Sequence, residues 1–206
     1  MSNINSLSDI PISSLDLSTN NLFGKLDGFV LLHVNIATKT GYKPKTKNLW
    51  SYARTAKSLW ELQKVHEMFI HEKFSVVGYP CNQFNNMEQG TNEEILLNIK
   101  QNYPFVDFPI TEKVEVNGKN PHDVWRFLNG EQIRAIDDTL ADTSENARLG
   151  QNKAGAPTMR VPHNYEKFIT DRNGKNYCRF NWADSPLYGS VTVGTSSIID
   201  AIRDVL

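Results

Sequence analysis

The sequence predicts an α/β fold, a mixed sheet with helices on both faces, and three observations predict it. Val30, Leu31, Leu32, Val34 and Ile36 form a nearly continuous apolar run between Gly28 and the turn residues 38–41. A short apolar run closed by turn residues reads as a central strand buried on both faces. Residues 74–79 repeat the design and lead into Pro80, Cys81, Asn82 and Gln83. Between the two runs, Leu59, Leu62, Val65, His66 and Phe69 recur at helical spacing. A strand–helix–strand crossover pairs its strands in parallel. Loops at the carboxyl ends of such strands carry the chemistry, and these two tips set Thr40 beside Gln83.

The remaining elements follow in order. Residues 1–27 read as a lead-in with a short N-terminal hairpin, from the spaced Ile10, Ile12, Leu15 and Leu17 and the turn pair Asn20-Asn21. Residues 39–57 hold Lys39, Lys43, Lys45, Lys47, Arg54 and Lys57 and no acidic residue. The crossover helix is expected over residues 58–72. Thr91 with Glu94 forms a capping box for a helix to about Lys100. Residues 105–110 read as a loop or short strand interrupted by Pro109, and 114–116 as a short strand. Asn120-Pro121 is expected to cap a helix whose Val124, Trp125 and Leu128 face inward. Residues 129–161 form the longest loop, with a helical turn near 133–141, and long loops in compact domains are functional or mobile. Residues 165–170 and 177–180 flank Asp171-Arg172-Asn173-Gly174, a hairpin signal. Thr195-Ser196 opens a terminal helix with Ile198, Ile199, Ile202 and Val205.

The chain has 206 residues, enough for a single domain spanning 1–206 with a sizeable core. Its net charge of -1 gives no bulk drive toward nucleic acid or a membrane surface. The polar start has neither the basic nor the long apolar region of a signal peptide, and no run is long enough to span a membrane. Cys81 and Cys178 are the only two cysteines. A disulfide scaffold is not expected, and the expected location is reducing and cytoplasmic.

The motifs VNIATKTG (34–41), YPCNQF (79–84), GTNEEI (90–95), VEVNGKN (114–120) and NYEKFITDRNGK (164–175) stand in this order. With these motifs the chain resembles the glutathione peroxidase family over most of its length. The resemblance implies a thioredoxin-like fold and thiol-dependent hydroperoxide reduction in the oxidative-stress response. The family's catalytic set is a peroxidatic Cys or selenocysteine, a Gln, a Trp and an Asn. Carried onto this chain, Gln83 matches the Gln and Asn164 the Asn. The nucleophile position falls on Thr40 and the Trp position on His163. The helix that bears a resolving Cys in thioredoxin-dependent members has Lys100 near that point, and the family's EPG reads Glu88-Gln89-Gly90. The resemblance calls for no cofactor. It implies glutathione or thioredoxin as thiol donor and a small hydroperoxide or thiol as partner. The length of 129–161 resembles that of the family's oligomeric members and points to a homo-oligomer.

Thr40 decides the function. A thiolate accepts the peroxide oxygen as a sulfenic acid and returns it, and a threonine hydroxyl has no such redox ladder. A base-activated Thr attacks acyl groups, but the bland role, a loop hydroxyl bonding backbone near a helix start, is favoured. The chain is therefore expected to be weak or inactive as a peroxidase. The alternatives are an active thiol peroxidase using Cys81 and a non-catalytic binding or interaction module. Against Cys81, a buried free Cys commonly acts as a small hydrophobe. Gln83 and Asn164 either hold a small polar ligand or bond their own loops. His163 is an acid, a base or a ligand, or a structural side chain. Trp60 and Trp125 read as core. Lys43, Lys45 and Lys47 form a candidate anion site for glutathione carboxylates or an acidic segment.

Overall fold

The computed structural model describes residues 6–38, 42–43, 46–47, 49–129, 160–188 and 197–206, with 42–53 described by backbone alone. Strands are β1 (Val30–Ile36), β2 (Tyr42–Lys43), β3 (Thr46–Lys47), β4 (Phe74–Pro80), β5 (Lys167–Thr170) and β6 (Asn176–Phe180). Helices are α1 (Leu22–Lys25), α2 (Leu49–Phe69), α3 (Asn92–Asn102), α4 (Asp123–Leu128) and α5 (Ile198–Val205). Four strands make one sheet in the order β4-β1-β5-β6.

β1 is central because every residue in it is buried. It pairs in parallel with β4, Val30 opposite Phe74 through Ile36 opposite Pro80. On its other edge it pairs antiparallel with β5. Side chains alternate across a strand. Val30, Leu32, Val34 and Ile36 therefore pack on Leu59, Leu62, Val65 and Phe69 of α2 and on Ile198 and Ile202 of α5. Leu31 faces the opposite layer with Val77, Tyr79 and Phe168, where Val124, Trp125 and Leu128 of α4 close the core. Each such side chain, fully buried, contributes roughly 1.5–3 kcal/mol. Ile95 and Ile99 of α3 form a smaller cluster with Leu15.

The expected hairpin between residues 165 and 180 is present as β5 and β6, with Gly174 at φ +72° in the turn. Thr91 caps α3 with its reciprocal bond to Glu94. Trp125 is fully buried, as expected.

Several expectations are corrected. The N-terminal lead-in forms no strand pair among the described residues. Ser14 and Asp16 tie the turn through their own side chains, the Ser14 hydroxyl donating to Asp16 at 2.6 Å. Only isolated bridges remain, and Asn21 caps α1. α2 begins at Leu49, nine residues before the first expected residue 58, so 49–57 of the basic stretch is helix. The apolar spacing marks only the part of α2 that covers the sheet. Trp60 is 40% exposed, because it lies one position off the Leu59 face and meets the Lys64 ammonium at 5.9 Å. Residues 114–116 do not form a strand. The N-cap of α4 is His122 rather than Asn120, and that of α5 is Ser197. The turn expected at 133–141 lies outside the described residues. No described helix is long and apolar enough to cross a membrane.

Candidate functional site

β1 hands the chain to the candidate site through Ala37 and Thr38, both buried. Thr38 is held by side chains rather than by the sheet. Its N–H donates to Glu88 Oε2. Its hydroxyl donates to Glu88 Oε1 at 2.9 Å and accepts from Asn98 Nδ2 at 2.9 Å. Its carbonyl accepts from the Tyr103 hydroxyl at 3.0 Å. The Tyr165 hydroxyl donates to the Ala37 carbonyl at 2.9 Å. Two residues further on, Thr40 lies outside the described residues, as do Lys39 and Lys45. Lys43 and Lys47 stand on β2 and β3, which pair antiparallel.

At the tip of β4, Cys81 is fully buried. Burial pushes its thiol up to about 11, against the pull of nearby backbone N–H groups. Cys178 is likewise pushed up to about 12 by burial, and both cysteines are free thiols. The exposed Gln83 turns its amide toward residues 116 and 117. Its Nε2 donates to the Asn117 carbonyl at 2.8 Å. Its Oε1 accepts from the N–H groups of Val116 and Asn117, each at 2.9 Å, and weakly from the Cys81 thiol at 3.7 Å. Val114 N–H reaches the Pro80 carbonyl of β4 at 2.9 Å, but at Val116 a side chain takes the N–H that a strand partner would use.

Asn117 in turn bonds Val161 in both directions, at 2.8 and 2.9 Å. Two residues on, His163 has its carbonyl bonded by Asn35 Nδ2 at 2.9 Å, which ties it to β1. The imidazole stacks between Phe84, at 6.1 Å, and Trp182, at 4.8 Å. Asn164 is buried, its Nδ2 donating weakly to Met87 Sδ at 3.8 Å, while its Oδ1 has no hydrogen-bond partner among the described residues. His163 and Asn164 line a cavity of about 550 Å³ with Glu61, Lys167, Trp182 and Asp184 among its other walls. Lys167 donates to the carbonyls of Tyr165, Asn181 and Trp182 at 2.8 to 3.3 Å. Burial pulls its ammonium down to about 8, partly countered by Glu166, Asp184 and Glu61.

The structure thus brings Cys81, Gln83, His163 and Asn164 to one rim, where the tip of β4, the turn at 116–117 and the approach to β5 meet the end of β1. Among the described residues no three His, Cys, Asp or Glu side chains converge as a metal site. Sequence reasoning missed the grip on Thr38 and the ring of Trp182. Glu88 carried a signal, its place in the EQG triplet. Trp182 carried none, since nothing local places it over His163.

The family model for glutathione peroxidase matches residues 11–129. A glutathione peroxidase-like peroxiredoxin of Saccharomyces cerevisiae is 33% identical, with 83% of this chain and 84% of the relative covered. The chain belongs to the glutathione peroxidase family. A hydroperoxy fatty acid reductase of Synechocystis is 31% identical, with 78% of each chain covered. The crystal structure of Trgpx in apo form matches with a TM-score of 0.58 at 22% identity, covering 98% of this chain and 95% of that one. It shares the thioredoxin-like fold. Within this glutathione peroxidase fold, β1 and β4 present their tips side by side, as the α/β rule requires.

Proposed function

We propose that this glutathione peroxidase family member keeps the peroxidase scaffold without peroxidase turnover and acts by binding at the retained rim. What carries this reading is the threonine at residue 40, which the family resemblance aligns with the nucleophile position. Reduction of a hydroperoxide moves two electrons from sulfur to the O–O bond. That bond breaks, the sulfur becomes a sulfenic acid, and the alkoxide takes a proton. A threonine oxygen cannot be oxidised in this way. The two thiols the chain does possess are disfavoured as thiolates, Cys81 and Cys178 both being pushed up by burial. The cavity beside Asn164 and His163 is large enough for a small polar ligand. Lys43, Lys45 and Lys47 are proposed to supply an anion site for glutathione carboxylates. Two free thiols suit a reducing, cytoplasmic location.

The test is a steady-state assay of the wild-type protein with hydrogen peroxide and a lipid hydroperoxide, reduced by glutathione or by thioredoxin. Turnover at background is expected. Robust turnover that survives both Cys81→Ser and Cys178→Ser overturns the reading. A second reading rests on the Cys81 thiol lying 3.7 Å from Gln83 Oε1. Turnover abolished by Cys81→Ser alone establishes it.

A further inference from the structure

Asn164 is 1% exposed, and half of its amide is unused. Its Oδ1 accepts from no group among the described residues, while its Nδ2 donates to Met87 Sδ at 3.8 Å. A buried carbonyl oxygen without a donor is costly, so such a site suits a ligand that brings an O–H or N–H. Asn164 and Met87 both line the cavity of about 550 Å³. Both are fixed from outside it. Asn35 grips the two neighbours of Asn164: its Nδ2 donates to the His163 carbonyl at 2.9 Å, and its carbonyl accepts from the Tyr165 N–H at 2.7 Å. The Met87 N–H donates to the Phe84 carbonyl at 3.2 Å, and the Glu88 N–H donates to Asn82 Oδ1 at 3.0 Å. The Met87 side chain is half-buried, and a thioether is oxidised by peroxide without first ionising.

We infer that Met87 is a modification site, oxidised to one sulfoxide epimer by a small hydroperoxide that Asn164 holds in the cavity. The peroxide O–H donates to Asn164 Oδ1. The Nδ2 of that same amide touches the sulfur, so the peroxide oxygen stands within reach of Sδ. The sulfur lone pair takes that oxygen and the O–O bond breaks. The departing oxygen takes the hydroxyl proton and leaves as an alcohol or as water. Sulfur gives up two electrons and the peroxide gains them. The new S=O oxygen accepts from Asn164 Nδ2, a stronger bond than the thioether makes there. One oxygen is stored per chain and no thiol is consumed. This names the ligand class for binding at the rim, and it rests on that reading.

The test exposes the wild-type protein to hydrogen peroxide without a thiol donor and follows each methionine peptide by mass spectrometry. Met68 of α2, 47% exposed, is the internal reference. Exposure alone predicts that Met68 is oxidised first. The site predicts the reverse, with Met87 oxidised several-fold faster. Methionine sulfoxide reductases A and B each act on one epimer, and applied to the digested protein they read the stereochemistry. One of the two is expected to restore nearly all of Met87, and each to restore about half of Met68. Asn164→Ala is expected to slow Met87 oxidation to the Met68 rate or below and to equalise its epimers. Wild-type Met87 oxidised no faster than Met68, or restored equally by the two enzymes, overturns the site. Both results are read on wild type, so they stand even if Asn164→Ala does not fold. A folded Asn164→Ala protein that keeps the rate and the epimer preference overturns the role of Asn164. Thiol-dependent turnover in the steady-state assay would leave the Met87 result standing, and an inert Met87 leaves the absence of turnover untouched, so the two failures are distinct.

Discussion

The imidazole of His33 lies 2.7 Å from the hydroxyl of Tyr79, across the parallel pair of β1 and β4. Its other ring nitrogen lies 3.0 Å from the Thr170 hydroxyl of β5. All three side chains are fully buried. A neutral imidazole, one nitrogen donating and one accepting, satisfies both hydroxyls, and burial disfavours the charged form.

That relationship sets a pH dependence of stability. Burial lowers the His33 pKa from 6.5 to about 3 in the folded protein. Below pH 6.5 the unfolded chain takes up a proton that the folded chain refuses. The stabilisation is therefore complete above pH 6.5 and is lost as the pH falls toward 3. The slope reaches about 1.4 kcal/mol per pH unit, so about 2 kcal/mol is lost by pH 5. His66 and His122, also lowered by burial, add to the same trend. Urea unfolding at pH 7 and pH 5 measures it. His33→Gln should flatten the difference, and an identical loss in that variant excludes His33 as the source.

Arg179 donates to Glu166 at 2.7 Å, and the Glu166 side chain is only 3% exposed. Glu166 also accepts from the Trp182 N–H at 3.0 Å, and so anchors the segment that carries Trp182 over His163. Burial raises the Glu166 pKa, and Arg179 pulls it back. Removing one partner of a buried pair leaves the other charge uncompensated. Arg179→Ala is expected to cost about 3 kcal/mol. Replacing both residues by Met should cost less than Arg179→Ala alone. Chemical denaturation of the three variants checks the order, and a larger loss in the double variant contradicts it.

The parts of this fold that the sequence discloses are those written in local pattern. The apolar runs of β1 and β4 show because both strands are buried on two faces. The turn before Gly174 shows because a positive φ favours glycine. The rim is legible through motif likeness at Gln83, His163 and Asn164. What stays hidden is long-range polar bonding. Nothing near residue 116 reveals that Gln83, 33 positions earlier, takes its N–H. Nothing near residue 38 reveals the carboxylate 50 positions later. The start of α2 is hidden because Leu49 to Lys57 lacks the apolar stripe of its second half.

The capping box of α3 is legible and testable. Thr91 Oγ1 accepts from the Glu94 N–H at 3.3 Å, and Glu94 Oε2 accepts from the Thr91 N–H at 3.0 Å. Loss of such a cap typically costs about 1 kcal/mol. Thr91→Ala is expected to lower stability by that amount, and Thr91→Ser to preserve most of it. α3 supplies Asn98, so a larger effect of Thr91→Ala on the Thr40→Cys peroxide rate than on stability would show that the cap reaches the site.

The last prediction concerns what the scaffold still offers to sulfur. Gln83 and Asn164 remain at the rim, and the strand end that leads to position 40 is gripped at Ala37 and Thr38. Cys81 is enclosed, its thiol raised to about 11, and it should be inert at neutral pH. In native protein at pH 7.5, iodoacetamide should leave Cys81 and Cys178 unlabelled until denaturant is added. Thr40→Cys should introduce a thiol that reacts with peroxide faster than Cys81, and faster than free cysteine if the site is still preorganised. Turnover should stay low if, as the family resemblance implies, His163 falls at the Trp position and Lys100 near the place of a resolving Cys. If the thiol introduced by Thr40→Cys is no more reactive than free cysteine, the rim no longer orients peroxide for attack. In that case the family likeness here extends to the fold and not to the chemistry.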